Sequence, residues 1–68
     1  MNVAKRTIGN FGNTSYVTYT FFGGYEYRIY DNGVEFGYTP KGNYTSQITL
    51  RKLCRYASEY EDRRLQTN

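Results

Sequence analysis

The sequence predicts an α+β domain: an antiparallel β-meander of three strands, four if an edge strand is added, covered on one face by a C-terminal α-helix. Three observations predict it. Residues 14–39 alternate with period two and are interrupted at Gly23-Gly24 and Asp31-Asn32-Gly33, the pattern of half-buried strands joined by tight turns. Beyond Thr49 the apolar residues recur at helical spacing instead. Nine of the 68 residues are Tyr, while Leu is confined to positions 50, 53 and 65. Tyr, apolar in body and polar at its tip, suits both a thin core and a contact surface.

The first strand spans 14–22, with Val17, Tyr19 and Phe21 on one side and Tyr16, Thr18 and Thr20 on the other. The second spans 25–30 and the third 34–39. Residues directly opposite each other share a sheet face, so the pairing can be read from the faces it keeps clean. Pairing Ile29 with Val34 sets Tyr27 opposite Phe36, Tyr25 opposite Tyr38, and Arg28 opposite Glu35 as a cross-strand ion pair. A three-residue loop, Gly23-Gly24-Tyr25, pairs Phe21 with Tyr27 and Tyr19 with Ile29. The expected core face is then Val17, Tyr19, Phe21, Tyr27, Ile29, Val34, Phe36 and Tyr38. The expected outer face is Thr18, Thr20, Phe22, Glu26, Arg28, Tyr30, Glu35 and Thr39.

The helix is expected over 49–65. Thr49 serves as N-cap, and Ile48 packs on Leu53 as a hydrophobic staple. Leu50, Leu53, Cys54, Ala57 and Tyr60 form the face that covers the sheet, and residues 66–68 fray. Residues 1–13 hold a candidate edge strand from Val3 to Ile8, followed by a flexible loop over 9–13.

All 68 residues form a single domain. A chain this short buries only about 60% of its unfolded surface, so self-association as a homodimer or docking on a partner would help it. Nine basic and six acidic residues give a formal charge of +3. That is low for a dedicated nucleic-acid binder and of the wrong sign for a DNA mimic. The single Cys54 excludes an internal disulfide. No signal-like or membrane-length apolar run is present, so the expected setting is the cytoplasm of a host cell.

No catalytic constellation is visible. General acid–base chemistry needs a positioned His, carboxylate or Lys, and the chain has no His. Glu26 and Glu35 read as surface charges beside Arg28. Glu59, Glu61 and Asp62 read as helix ion-pair partners, with Arg55–Glu59 and Glu59–Arg63 at i,i+4. Cys54 falls on the buried helix face with nothing to activate it. The expectation is a non-enzyme with no cofactor and no metal site.

Two surfaces remain as candidates for binding. On the sheet, Phe22, Arg28 and Tyr30 combine aromatic and cationic groups of the kind enriched at binding hot spots. On the helix, Arg51, Lys52 and Arg55, with Tyr56 beside them, place positive charge near the N-terminus, against the helix dipole. Charge placed against helix stability points to a partner.

Three antiparallel strands followed by one covering helix, over residues 14–65, resemble the DNA-binding domains of the AP2 type and the arm-binding domains of phage integrases. That resemblance implies an outer sheet face that enters the major groove. A very short, Tyr-rich chain without chemistry also resembles, by type, the small accessory proteins of phages and mobile elements, including anti-CRISPR proteins. This second resemblance implies an inhibitor that occupies a surface of a host defence or nucleoprotein complex. The leading expectation is that inhibitor, and the alternative is a small DNA- or RNA-binding module using the outer sheet face.

Overall fold

The computed structural model describes residues 1–66. Four strands, β1 (Val3–Phe11), β2 (Thr14–Phe21), β3 (Glu26–Tyr30) and β4 (Glu35–Tyr38), precede one helix, α1 (Gln47–Gln66). The strands form one antiparallel sheet in the order β1-β2-β3-β4, and α1 packs on one face of it. The Cα atoms span 36 × 31 × 17 Å, a two-layer slab. The fourth strand of the sequence reading is therefore present, and it is longer than the candidate. Residues 9–11, expected in a loop, are strand. Phe11 pairs with Thr14 across a two-residue turn in which Gly12 has φ 62°, as glycine at the first corner of a hairpin turn allows. Gly9 extends the strand because Tyr16 covers it. A Cβ at Gly9 would lie 2.6 Å from the Tyr16 ring, the arrangement in which a cross-strand aromatic replaces a missing side chain.

The next three turns are alike. In each, a residue accepts a hydrogen bond from the glycine three positions on and donates one to the carbonyl four positions on. Phe21, Tyr30 and Thr39 open the turns, and Gly24, Gly33 and Gly42 close them, at φ 96°, 93° and 89°. Each is a three-residue loop whose last residue must be left-handed, hence Gly. The third loop folds residues 43–45 back on β4, where Tyr44 bridges to Tyr38 and Thr45 N–H donates to the Gly37 carbonyl.

This loop chemistry corrects the expected pairing. The β2–β3 loop is Phe22-Gly23-Gly24, so Tyr19 lies opposite Tyr27 and Val17 opposite Ile29. The shift is by two residues and the faces stay as expected, except that Phe22 moves from the sheet into the turn. The β3–β4 loop is Asp31-Asn32-Gly33, with Asn32 Oδ1 accepting from Val34 N–H at 3.0 Å. Arg28 then faces Phe36, and Ile29 faces Glu35. A shift of one residue exchanges the two faces of a strand. Phe36 and Tyr38, expected in the core, lie on the outer face with Val34. Glu35 lies on the helix side, and the expected Arg28–Glu35 pair does not form.

The core is small and aromatic. Tyr19, Phe21, Tyr27, Leu53 and Ala57 are buried, and Val3, Val17, Tyr25, Ile29, Leu50, Cys54, Tyr56 and Tyr60 pack around them. The covering face of the helix is the expected one, with Tyr56 added to it. The helix begins earlier than expected. Ser46, not Thr49, caps it: Ser46 Oγ accepts from Thr49 N–H at 3.3 Å, and the Ser46 carbonyl accepts from Leu50 N–H at 2.9 Å. Ile48 is then 72% exposed, so no staple to Leu53 forms. Gln66 is still helical, and the fraying expected of 67–68 lies outside the described residues.

Gly37 lets the helix approach β4. A Cβ there would sit 2.5 Å from Thr45 Oγ1 and 3.1 Å from a Leu50 methyl. Gly37→Ala is expected to destabilise the domain by about 1–3 kcal/mol, the usual cost of overpacking. A urea denaturation midpoint equal to wild type would contradict this.

Candidate functional site

The helix covers one sheet face and leaves the other open. Reading across the strands, the open face carries Gly9, Tyr16, Tyr30 and Val34 in one row. The next holds Thr7, Thr18, Arg28 and Phe36. A third holds Lys5, Thr20, Glu26, Tyr38 and Tyr44. Antiparallel pairing puts these side chains close enough to interact, and the aromatic rings join into one cluster. Tyr16 and Tyr30 lie 5.0 Å apart by centroid, and Tyr30 meets Phe36 edge-on at 6.1 Å. Phe36 and Tyr38 each contact Tyr44, at 5.9 and 5.5 Å.

Arg28 sits in the middle of this cluster. Its guanidinium carbon is 4.7 Å from the Tyr16 ring centre and 5.8 Å from that of Tyr38, within range of cation–π attraction. Its Nε donates to Thr18 Oγ1 at 3.1 Å. Burial raises the Tyr38 pKa, and Arg28 partly offsets that. The arrangement holds a charged side chain in place without a carboxylate. Glu26, two residues along β3 on the same face, also takes part in no ion pair seen among the described residues; those seen both converge on Glu61.

Glu61 and Glu35 serve the fold. Glu61 on α1 accepts from Arg6 Nε and from Tyr19 O–H, both at 2.6 Å, and from Arg64 Nε at 3.0 Å. Desolvation opposes its charge, but the hydrogen bonds from Tyr19, Arg6 and Arg64 outweigh it and hold the carboxyl down at about 2. Burial first, and the Glu61 carboxylate second, push Tyr19 up to about 12. Glu35 accepts from the buried Tyr27 O–H at 2.9 Å. Burial, then Cys54 and Glu35, raise the Tyr27 pKa. These are clamps between helix and sheet or between strands. Among the described residues no three metal-ligating side chains gather, and no helix is long and apolar enough to cross a membrane.

Of the residues singled out from sequence, Arg28 and Tyr30 come together on the open face. Phe22 is 66% exposed in the β2–β3 turn, away from the sheet rows. Arg51, Lys52 and Arg55 are exposed on α1. With the cap at Ser46 they fall beyond the first turn, and Arg63 and Arg64 occupy the last one. The helix ends with the charge its dipole favours, so the argument from reversed charge loses its force. Tyr56, expected to face outward, packs edge-on against Phe21 at 6.3 Å. Sequence reasoning set Tyr16 on the outer side without singling it out, and it missed Phe36, Tyr38 and Tyr44. The signal that finds these three is the spacing of Gly24, Gly33 and Gly42, because equal loops fix the pairing and turn those rings outward. Comparison of the chain with known protein families, with curated proteins and with solved structures finds no match to it.

Proposed function

We propose that the protein is a non-enzymatic binding protein that docks on a macromolecular partner through the open sheet face. The observation that carries this reading is the ring cluster around Arg28, left uncovered by a fold with a single helix. Tyr16, Tyr30, Phe36 and Tyr38 are half-buried by one another and Tyr44 is 71% exposed; an uncovered apolar patch on a small domain marks an interaction site, and Tyr and Arg are the side chains that dominate binding energy there. The biological form of the proposal is an inhibitor, carried by a phage or mobile element, that occupies a surface of a host defence or nucleoprotein complex. A tagged protein should recover a defined complex from host lysate. Tyr30→Ala, at about 2 kcal/mol for a hot-spot residue, should weaken that complex by about 30-fold. Recovery of no complex would remove the binding reading. Full recovery by Tyr30→Ala, with loss on Arg51→Glu, would move the site to the helix.

A second reading, a DNA- or RNA-binding module, is favoured by one observation. Glu35 lies on the helix side, so Glu26 is the one acid in the three rows of the open face. Binding through several phosphate contacts falls steeply with salt. Retention on single-stranded or duplex DNA at low salt, lost on raising the salt to about 200 mM, would support this module over a protein partner.

A further inference from the structure

We infer that the partner of the open sheet face is a second copy of this chain, with Glu26 of each copy paired to Arg28 of the other. This rests on the reading that the open face is a docking surface; a second copy then holds that face, and a host complex is left the outward surfaces of the pair. Three observations carry it further, to one occupant.

The first is charge. The central strand β3 shows the open face one acid and one base, two residues apart, and neither has an oppositely charged partner in the chain among the described residues. A polyanion would meet Glu26 wherever it met Arg28. A two-fold related copy meets both correctly, because in an isologous interface residue i touches j and j touches i. A two-fold axis lying between the faces and crossing β3 at Tyr27 sets each Glu26 over the other copy's Arg28. The same operation places Phe36 over Tyr38 reciprocally, so that rings meet rings, while Thr18 lies buried and bonded to Arg28 Nε.

The second is area. Strands about 4.8 Å apart, with outward residues about 6.8 Å apart along each, give four strands and the 43–45 return a face of roughly 500–600 Å². Two such faces bury about 1,000–1,200 Å² in total, at the lower edge of specific interfaces. The third is shape. Sheets pack face to face about 10 Å apart with their strands nearly aligned, and the slab leaves no helix in the way. The closed pair carries both helices outward, so Arg51, Lys52 and Arg55 are presented twice.

Sedimentation equilibrium over about 5–500 µM tests this. Wild type should run at twice the chain mass of 8.0 kDa, and Arg28→Glu and Glu26→Arg should each run as monomers, weakened at least 30-fold. Mixing the two variants should restore a dimer, because the unlike copies then pair acid with base. The chain carrying both substitutions should dimerise alone. Circular dichroism checks that each variant is folded. If one variant fails to fold, the doubly substituted chain and the other variant decide the matter. A monomeric wild type, or failure of both the mixture and the double variant to restore the dimer, would overturn the inference. A monomeric wild type that binds single-stranded DNA at low salt would do so in favour of a polyanion. A monomeric wild type whose lysate complex is still lost on Tyr30→Ala would overturn the second copy alone. If Tyr30→Ala changed nothing either, the docking face itself would fall.

Discussion

Phe21→Ala is expected to leave most of the chain unfolded at 25 °C. Phe21 is 1% exposed and lies under the helix, with the Tyr56 ring edge-on to it at 6.3 Å. Removing a buried Phe side chain costs about 3–5 kcal/mol through lost transfer energy and the cavity left behind. A domain of this length holds roughly 3–10 kcal/mol in all, and its small buried fraction puts it towards the low end of that range. The core has little else to fall back on, because Tyr19, Tyr27, Leu53 and Ala57 are the other apolar residues buried among those described. Far-UV circular dichroism and amide proton dispersion read the result directly. Phe21→Leu, which keeps most of the volume, should cost less than about 1.5 kcal/mol. An alanine variant with native dispersion and a denaturation midpoint near wild type would mean that the helix–sheet layer is not what holds the fold.

The second large effect is acid lability centred on Glu61. Its carboxyl titrates at about 2 in the folded chain, against an ordinary value of 4.5. The folded state therefore binds its proton less readily than the unfolded state does, and the resulting stability is present in full above about pH 4.5. It is lost as the pH falls from there through 2. Because the Glu61 and Arg6 side chains keep 23% and 22% of their exposure, solvent screening reduces the contribution to about 1–3 kcal/mol. Glu61→Gln should lose that amount at pH 7, and its stability should change much less between pH 4.5 and 2. A wild-type curve as flat as that of the variant would show that the Arg6–Tyr19–Glu61 contact does not couple to folding. An alkaline limb is also expected. Tyr19 titrates at about 12 rather than 10, so stability falls as the pH rises between those values.

Much of the fold is legible in the sequence, and the failures that matter for the site share one main cause. Period-two alternation identifies β2, β3 and β4, and helical spacing identifies the buried face of α1, because both patterns record burial over many residues. Turn geometry is recorded by single residues. Pairing Ile29 with Val34 instead of Glu35 across Asp31-Asn32-Gly33 moves Phe36, Tyr38 and Glu35 to the wrong faces, since every residue of a strand moves with its pairing. The site suffers most. Arg28 and Tyr30 lie on β3, whose faces survive the two-residue shift at Gly24, and they are correctly placed. Phe36, Tyr38 and Tyr44 depend on Gly33 and Gly42, and they are not. Tyr56 illustrates a different limit. Its helix position borders the buried stripe, and only the placement of Phe21 beneath it shows that it belongs to the core.

The equal turns at Gly24, Gly33 and Gly42 bear on how such a chain can change length. Each unit of nine residues supplies one strand and one turn, and nine is odd. Turn-opening residues therefore alternate between the faces: Phe21 towards the helix, Tyr30 away from it, Thr39 towards it again. A tandem duplication of one unit would widen the sheet but deliver the helix to the opposite side, onto the tyrosine face. Two units together would restore both strand direction and side. Growth of this architecture by duplication is thus subject to a parity rule, with eighteen residues as the smallest step that leaves the core intact.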